Sequence, residues 1–254
     1  MSVLIAYHTD VGAVKKTNQD SLCIQVAETP LGMTVMAVVC DGMGGLAKGE
    51  LASASVIRAF KRWFDTELAE QLSGDFTKDV LYRWRQIINE QNQRIAEYGR
   101  RFHIQLGTTL TALLAVGAKF LLIGHVGDTR VYRVADDIEQ MTEDQTVVGR
   151  EVRKGALTPA QAEADPRRNV LLQCIGASKN VEPQFIKQCA AEGETYLVCS
   201  DGFRHMITER ELYDNFRPER LTNESDMSKR IRSLIEINKL RGERDNITAA
   251  LVKL

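Results

Sequence analysis

Several features common in other protein classes are missing from this 254-residue chain. No apolar run approaches the length of a membrane span, and the opening MSVLIAYHTD has no basic-then-apolar leader ending in small residues. A cytoplasmic protein is expected. Charge of either sign is not in excess: 33 Lys and Arg against 34 Asp and Glu leave −1, too little to hold a nucleic-acid backbone. Cysteine is scarce: there are five, an odd number with no CxxC pair, which argues against a disulfide framework and favours buried thiols at Cys40, Cys174 and Cys199. A cysteine phosphatase needs five residues between its thiolate and an arginine, and the nearest approach, Cys199 to Arg204, is one residue too tight. Thiol catalysis is set aside. Repeats, low-complexity tracts and linkers are also lacking, so one domain over 1–254 is expected.

What is present is an ordinary globular composition, 44% hydrophobic and 26% charged. Short β-rich runs at 3–7, 21–26 and 34–40 open the chain, with Pro30 and Gly32 as turn chemistry between the last two. The period then changes. Ala52, Val56, Ala59, Phe60, Trp63, Phe64 and Leu68 recur at helical steps, as do Val80, Leu81, Trp84, Ile87, Ile88, Gln91, Ile95 and Tyr98, with Ser73, Gly74 and Asp75 breaking the chain between. Two amphipathic helices are predicted there. Strand patterns return at 108–116, 119–125 and 129–134, separated by Gly117-Ala118 and Gly127-Asp128, and suggest an antiparallel meander. A polar stretch at 135–169 reads as an exposed insertion. Strands follow at 194–199 and 247–252, and helices at 209–216 and 226–240.

One pattern carries chemistry. Apolar runs end in Asp41-Gly42, Gly127-Asp128 and Asp201-Gly202, and Asp245-Asn246 precedes the last strand. A carboxylate at the end of a rigid strand is held in place, while the adjacent glycine lets the backbone turn. Any one Asp-Gly is a plain turn. Four carboxylates at one sheet edge would repel each other and raise one another's pKa, so they imply a cation among them. Oxygen donors without His or Cys favour a hard ion, Mg²⁺ or Mn²⁺, over zinc.

The same residues lie in an ordered series of motifs: KKTNQD (15–20), DGMGG (41–45) running to GELAS (49–53), GTT (107–109), VGDTR (126–130), MTEDQ (141–145), RNVL (168–171), CSDG (199–202) and DNIT (245–248). In this order and spacing they resemble the bacterial branch of the metal-dependent Ser/Thr protein phosphatases of type 2C, over nearly the whole chain. The resemblance implies an α+β fold, a four-layer α-β-β-α sandwich of two antiparallel sheets with a binuclear metal site at one edge. It implies Asp41 as the ligand bridging two Mn or Mg ions, a carbonyl from Gly42, Asp201 and Asp245 completing the first ion, and Asp20 acting through water. Asp128 matches a weaker third position, and the stretch 142–169 resembles the flap beside the site. The implied reaction is hydrolysis of phosphoserine or phosphothreonine in proteins by metal-activated water. An opposing Ser/Thr kinase or its targets are the expected partners, and a monomer is expected.

Some positions depart from the family pattern. Lys15 stands where an arginine commonly grips phosphate, keeping the charge but not the bidentate fork. Gln19 replaces a common Glu, His205 replaces an Asp of the third site and is read as a non-ligand, and Met43 and Leu46 stand where relatives carry a histidine, leaving the general acid unassigned. His8, His103 and His125 are read as structural or surface residues. These departures motivate a second reading, a pseudophosphatase that binds phosphoproteins without turnover. A third is a small-molecule phosphoesterase on the same fold.

Overall fold

A computed structural model describes residues 3–44 and 48–254. Gly45 and Leu46, both named above, lie outside the described residues. In chain order the elements are β1 (Leu4–Asp10), β2 (Ser21–Thr29), β3 (Gly32–Cys40), β4 (Gly42–Gly44), α1 (Gly49–Thr66), α2 (Leu68–Gln71) and α3 (Phe76–Phe102). There follow β5 (Leu106–Thr108), β6 (Leu110–Val116), β7 (Phe120–Val126), β8 (Arg130–Val134), β9 (Ile138–Gln140), α4 (Val147–Arg153) and α5 (Pro159–Ala164). The chain continues through β10 (Gln184–Cys189), β11 (Thr195–Cys199), α6 (Asp201–Arg204), α7 (Glu209–Phe216), α8 (Glu224–Leu240) and β12 (Ile247–Lys253).

Two five-stranded antiparallel sheets form, β1-β12-β11-β8-β9 (the first sheet) and β10-β7-β6-β3-β2 (the second). Strand period decides what lies between and outside them. On β3, Val35, Ala37 and Val39 point inward with Leu113, Leu121 and Ile123, and meet Val131, Val198, Ala250 and Val252 of the first sheet. The alternate residues Met36, Val38 and Cys40 point outward and are covered by α1 and α3. A strand buried on both faces has to be apolar throughout, which is why 34–40 reads as one unbroken run. On the far side of the first sheet, Leu197, Cys199, Ala249 and Leu251 pack under Phe203, Phe216, Met227, Ile231 and Leu234. The four-layer arrangement expected from the resemblance is present.

Packing under the helices is tight. Trp63 and Trp84 meet edge-on with ring centroids 5.5 Å apart. Gly124 on β7 has no room for more, since a Cβ there would stand 2.9 Å from the Trp84 ring.

Two expectations are corrected. The run at 129–134 does not complete a meander: β8 leaves β7 and pairs with β11 and β9 in the opposite sheet. Gly127 makes that crossing, with φ +108° and a would-be Cβ only 2.6 Å from Thr109. Nor is 135–169 uniformly an exposed insertion. Its first part is tied down, with Met141 N–H donating to Val131 C=O (2.8 Å), Val131 N–H to Thr142 Oγ1 (3.1 Å) and Gln145 N–H to Gly127 C=O (2.8 Å). Thr142, Thr146 and Val148 are buried. Short helices α4 and α5 follow, each started by a threonine cap, at Thr146 and Thr158.

Register brings distant residues to one end. Ser21 pairs with Cys40, Leu110 with Val126, Cys199 with Ala249 and Asp10 with Ile247. The ends of β3, β7 and β11 and the starts of β2 and β12 therefore share an edge of the sandwich.

Candidate metal centre

Each acidic residue singled out in the sequence stands at that edge. Asp20 precedes β2, Asp41 follows β3 and Asp128 follows the Gly127 crossing, all from the second sheet; Asp201 opens α6 after β11, and Asp245 precedes β12 in the first. Asp41 is clamped through its backbone. Its N–H donates to Thr109 Oγ1 (2.8 Å), and its C=O accepts from Thr109 N–H (2.9 Å) and Thr108 Oγ1 (2.8 Å). Gly42 admits no side chain, because a Cβ would lie 2.4 Å from both the Gln19 and Gly49 carbonyls. Gly49 in turn keeps its own side clear, since a Cβ there would lie 2.6 Å from the Gly42 carbonyl.

Asn246 knits the loops together. Its Oδ1 accepts from Gln19 N–H (2.8 Å), and its Nδ2 donates to Val11 C=O (2.9 Å) and Thr17 C=O (3.2 Å), fixing the segment that carries Lys15. Lys15 Nζ stands 2.9 Å from Asp245 Oδ1, both side chains being half exposed. Burial works against its charge, but the bond to Asp245 and the nearby Asp41 and Asp201 outweigh that and raise its pKa. Gln19 turns to Glu50, 3.4 Å away. Met43 pairs within the small β4-β5 sheet, opposite Gly107.

The electrostatics are those of crowded like charges. Burial pushes the Asp41 carboxyl well above the usual range, and Asp20, Asp201, Asp128 and Asp245 each push it further. Asp20 is raised to about 7, first by burial and then by Asp201 and Asp245, against hydrogen bonds from Thr248 and Ser200. Asp128 is also raised to about 7, by burial and Asp201 chiefly, with Arg204 and His205 opposing. Asp20 Oδ2 and Asp201 Oδ1 are buried without a hydrogen-bond partner. Buried oxygens left unpaired beside other carboxylates suit a hard divalent cation. Among the described residues no three His, Cys, Asp or Glu side chains are already drawn into a closed ligand cluster. The fit is therefore one of charge and donor chemistry.

Several supporting residues carried no assigned role in the sequence. Asp144, within MTEDQ, is gripped by Arg130 through two bonds (2.8 and 2.7 Å) and by Arg204 (3.3 Å), whose Nη2 also donates to Asp128 C=O (3.3 Å). Burial opposes its charge, but the two guanidiniums hold its carboxyl below the usual range. Its position in a motif was the only signal. His205 lies between two carboxylates, with Nε2 3.6 Å from Asp201 Oδ2 and Nδ1 3.4 Å from Glu243 Oε2. Glu243, buried at 5% exposure, had no signal at all. His125 is structural, as expected: its Nε2 faces the Glu143 carbonyl (3.1 Å), which can only accept, so the proton sits there and Nδ1 accepts from Thr111 Oγ1 (2.9 Å). Of the thiols, Cys40 and Cys199 are buried as expected, whereas Cys174 is partly exposed.

The protein phosphatase 2C family model matches residues 9–251. The chain belongs to this family. It is 29% identical over 253 residues to the protein phosphatase PhpP of Streptococcus pneumoniae, covering 98% of this chain and 97% of that one. The structure of the serine/threonine phosphatase PstP/Ppp of Mycobacterium tuberculosis superimposes with a TM-score of 0.82 at 30% identity, over 99% of this chain and 98% of that one. The catalytic domain of PstP in complex with two manganese ions gives a TM-score of 0.78 at 29% identity, over 99% of both chains. This chain is thus a bacterial-type serine/threonine protein phosphatase. No helix among the described residues is long and apolar enough to cross a membrane.

Proposed function

We propose that the acidic edge holds two divalent ions, Mn²⁺ or Mg²⁺, with Asp41 between them. Asp201 and Asp245 complete one position, the Gly42 carbonyl and Asp20 (through water) serve the other, and Asp128 borders a weaker third. When bound, such ions supply Lewis acidity toward the phosphoryl oxygens and lower the pKa of water to near neutrality. The chain's own residues fix the rest. Thr108 and Thr109 hold the Asp41 backbone so that its carboxylate is aimed without reorganisation, and Asn246 holds the Lys15 segment over the edge. Lys15, drawn to Asp245, is placed to exchange that partner for a phosphate oxygen. Water is added across the P–O bond, its oxygen going to inorganic phosphate and one proton to the departing serine or threonine hydroxyl, so no covalent phosphoenzyme is needed.

The segment 142–169 acts as the flap of a single domain spanning 1–254. Beside it runs an open groove of about 670 Å³ with Gln145, Arg153, Gln173 and Lys179 on its walls, and Gln145 Oε1 accepts the Gly127 N–H next to Asp128 (2.9 Å). Polypeptide flanking the phosphoresidue lies there. The enzyme opposes a Ser/Thr kinase as a cytoplasmic monomer, in keeping with its five unpaired cysteines.

The observation that carries this reading is the convergence of five carboxylates from five separate segments on one edge of the sandwich, two of them with buried unpaired oxygens. The test is Mn²⁺-dependent hydrolysis of p-nitrophenyl phosphate and of a phosphothreonine peptide, with and without chelator, alongside Asp201→Asn. Activity lost on chelation and reduced ~100-fold or more by the substitution, about 2.7 kcal/mol, supports it. Metal-free phosphoprotein binding with no turnover contradicts it.

A further inference from the structure

Glu243 is a buried carboxylate placed beside an already acidic site, with neither lysine nor arginine paired to it among the described residues. Its two oxygens do different things. Oε1 accepts the backbone N–H of Arg244 (2.7 Å) and of Asp245 (2.9 Å), while Oε2 has no hydrogen bond and faces His205 Nδ1 at 3.4 Å. The opposite nitrogen of that imidazole faces Asp201 Oδ2 at 3.6 Å. One side chain therefore reaches Asp245 through the backbone and Asp201 through His205.

The surroundings keep this link rigid. Asn238 C=O accepts the Glu243 N–H (3.0 Å), and Asn238 Nδ2 donates to the Phe203 carbonyl of α6 (2.8 Å), bracing the same two segments. They also abut directly, because a Cβ on Gly202 would lie 2.1 Å from Asn246 O. His205 and Glu243 form a side-chain strut across a backbone seam.

We infer that Glu243 is a positioning residue for the first-sheet half of the metal centre, orienting Asp245 directly and Asp201 through His205. The inference rests on the metal-centre reading above. A carboxylate that backs a histidine is a recurring means of fixing groups around a metal, and losing such outer partners commonly costs about 10–100-fold in metal affinity.

The test measures Mn²⁺ binding to the metal-free full chain by electron paramagnetic resonance of free aqueous Mn²⁺, with thermal unfolding of the same samples. Glu243→Gln is close in shape and keeps an oxygen for the two backbone N–H groups, but loses the negative charge facing His205. It should bind Mn²⁺ about 10-fold more weakly while still unfolding in a single cooperative thermal transition without metal. Glu243→Ala should lose more, and His205→Gln should add little in the Glu243→Gln background, because both cut the same link. Should Glu243→Ala not fold, Glu243→Gln and His205→Gln still decide the matter.

Mn²⁺ affinities within twofold of wild type in both, or losses that multiply in the double variant, overturn the inference. So does a loss matched by Ile231→Ala, a core change adjacent in sequence to neither His205 nor Glu243, at equal thermal destabilisation. Failure of wild type itself to bind Mn²⁺ overturns the metal-centre reading together with this one, whereas normal binding by wild type and variants alike overturns this one alone.

Discussion

Where the second sheet ends, Asp20, Asp41 and Asp128 face other carboxylates, and none makes an ion pair among the described residues; where the first sheet ends, Asp245 has Lys15 and Asp201 has His205. The difference is one of internal compensation. The first-sheet half is partly neutralised by Lys15. The second-sheet half has no such ion pair and is relieved by hydrogen bonds to Asp20 and by charges at longer range, Arg204 for Asp128 and Lys15 for Asp41, so it is there that metal and proton compete most directly.

The largest break in this contrast is Asp41→Asn. It removes the carboxylate on which four others act, and phosphatase activity with Mn²⁺ should fall on the order of 10³-fold, about 4 kcal/mol. The metal-free protein should at the same time melt higher, since a repelling charge has gone; calorimetry of wild type and variant without metal checks this.

Next comes pH. Asp20 and Asp128 titrate near 7 in the fold against 3.8 ordinarily, so the folded state holds protons that the unfolded state releases. Their contribution is full below about pH 4 and is lost as pH rises through 7. The rise in melting temperature on adding Mn²⁺ should therefore be larger at pH 8 than at pH 5. His125 has the opposite sign. Burial lowers it from 6.5 to about 4, so its contribution is full above pH 6.5 and is lost as pH falls toward 4. With Mn²⁺ relieving the carboxylates, this acid limb should dominate in the loaded protein, and His125→Asn should flatten it.

A smaller effect is expected from Thr109→Val, which deprives the Asp41 N–H of its acceptor and should cost about 1–3 kcal/mol by denaturant titration. Smallest is Lys15→Ala. An exposed ion pair contributes only ~0–1 kcal/mol to stability, so the change should leave unfolding nearly unaltered while raising KM for a phosphopeptide more than it lowers kcat.

The contrast between the two halves also marks how far the sequence could be read. The positions of Asp41, Asp128, Asp201 and Asp245 were legible because each lies where an apolar run meets a turn, that of Asp20 only through the motif it shares with the family, and helices α1, α3, α7 and α8 were legible from their helical patterning. The pairings that distinguish the halves were not. Glu243 and His205 lie 38 positions apart, and their meeting depends on α8 returning the chain to β12. Strand β10 was missed because only part of it is covered, so its residues do not alternate cleanly. The switch of β8 to the first sheet was missed because Gly127-Asp128 looks like a hairpin turn, whereas the chain crosses there with Gly127 close against Thr109.

The account's central claim is that side chains from both sheets jointly bind divalent ions at this edge. It is tested most directly by anomalous diffraction at the manganese edge from crystals grown with Mn²⁺. Two peaks are expected within coordination distance of Asp41, one of them also reached by Asp201 and Asp245. Absence of any peak in that cluster, with Mn²⁺ bound elsewhere on the molecule, would contradict it.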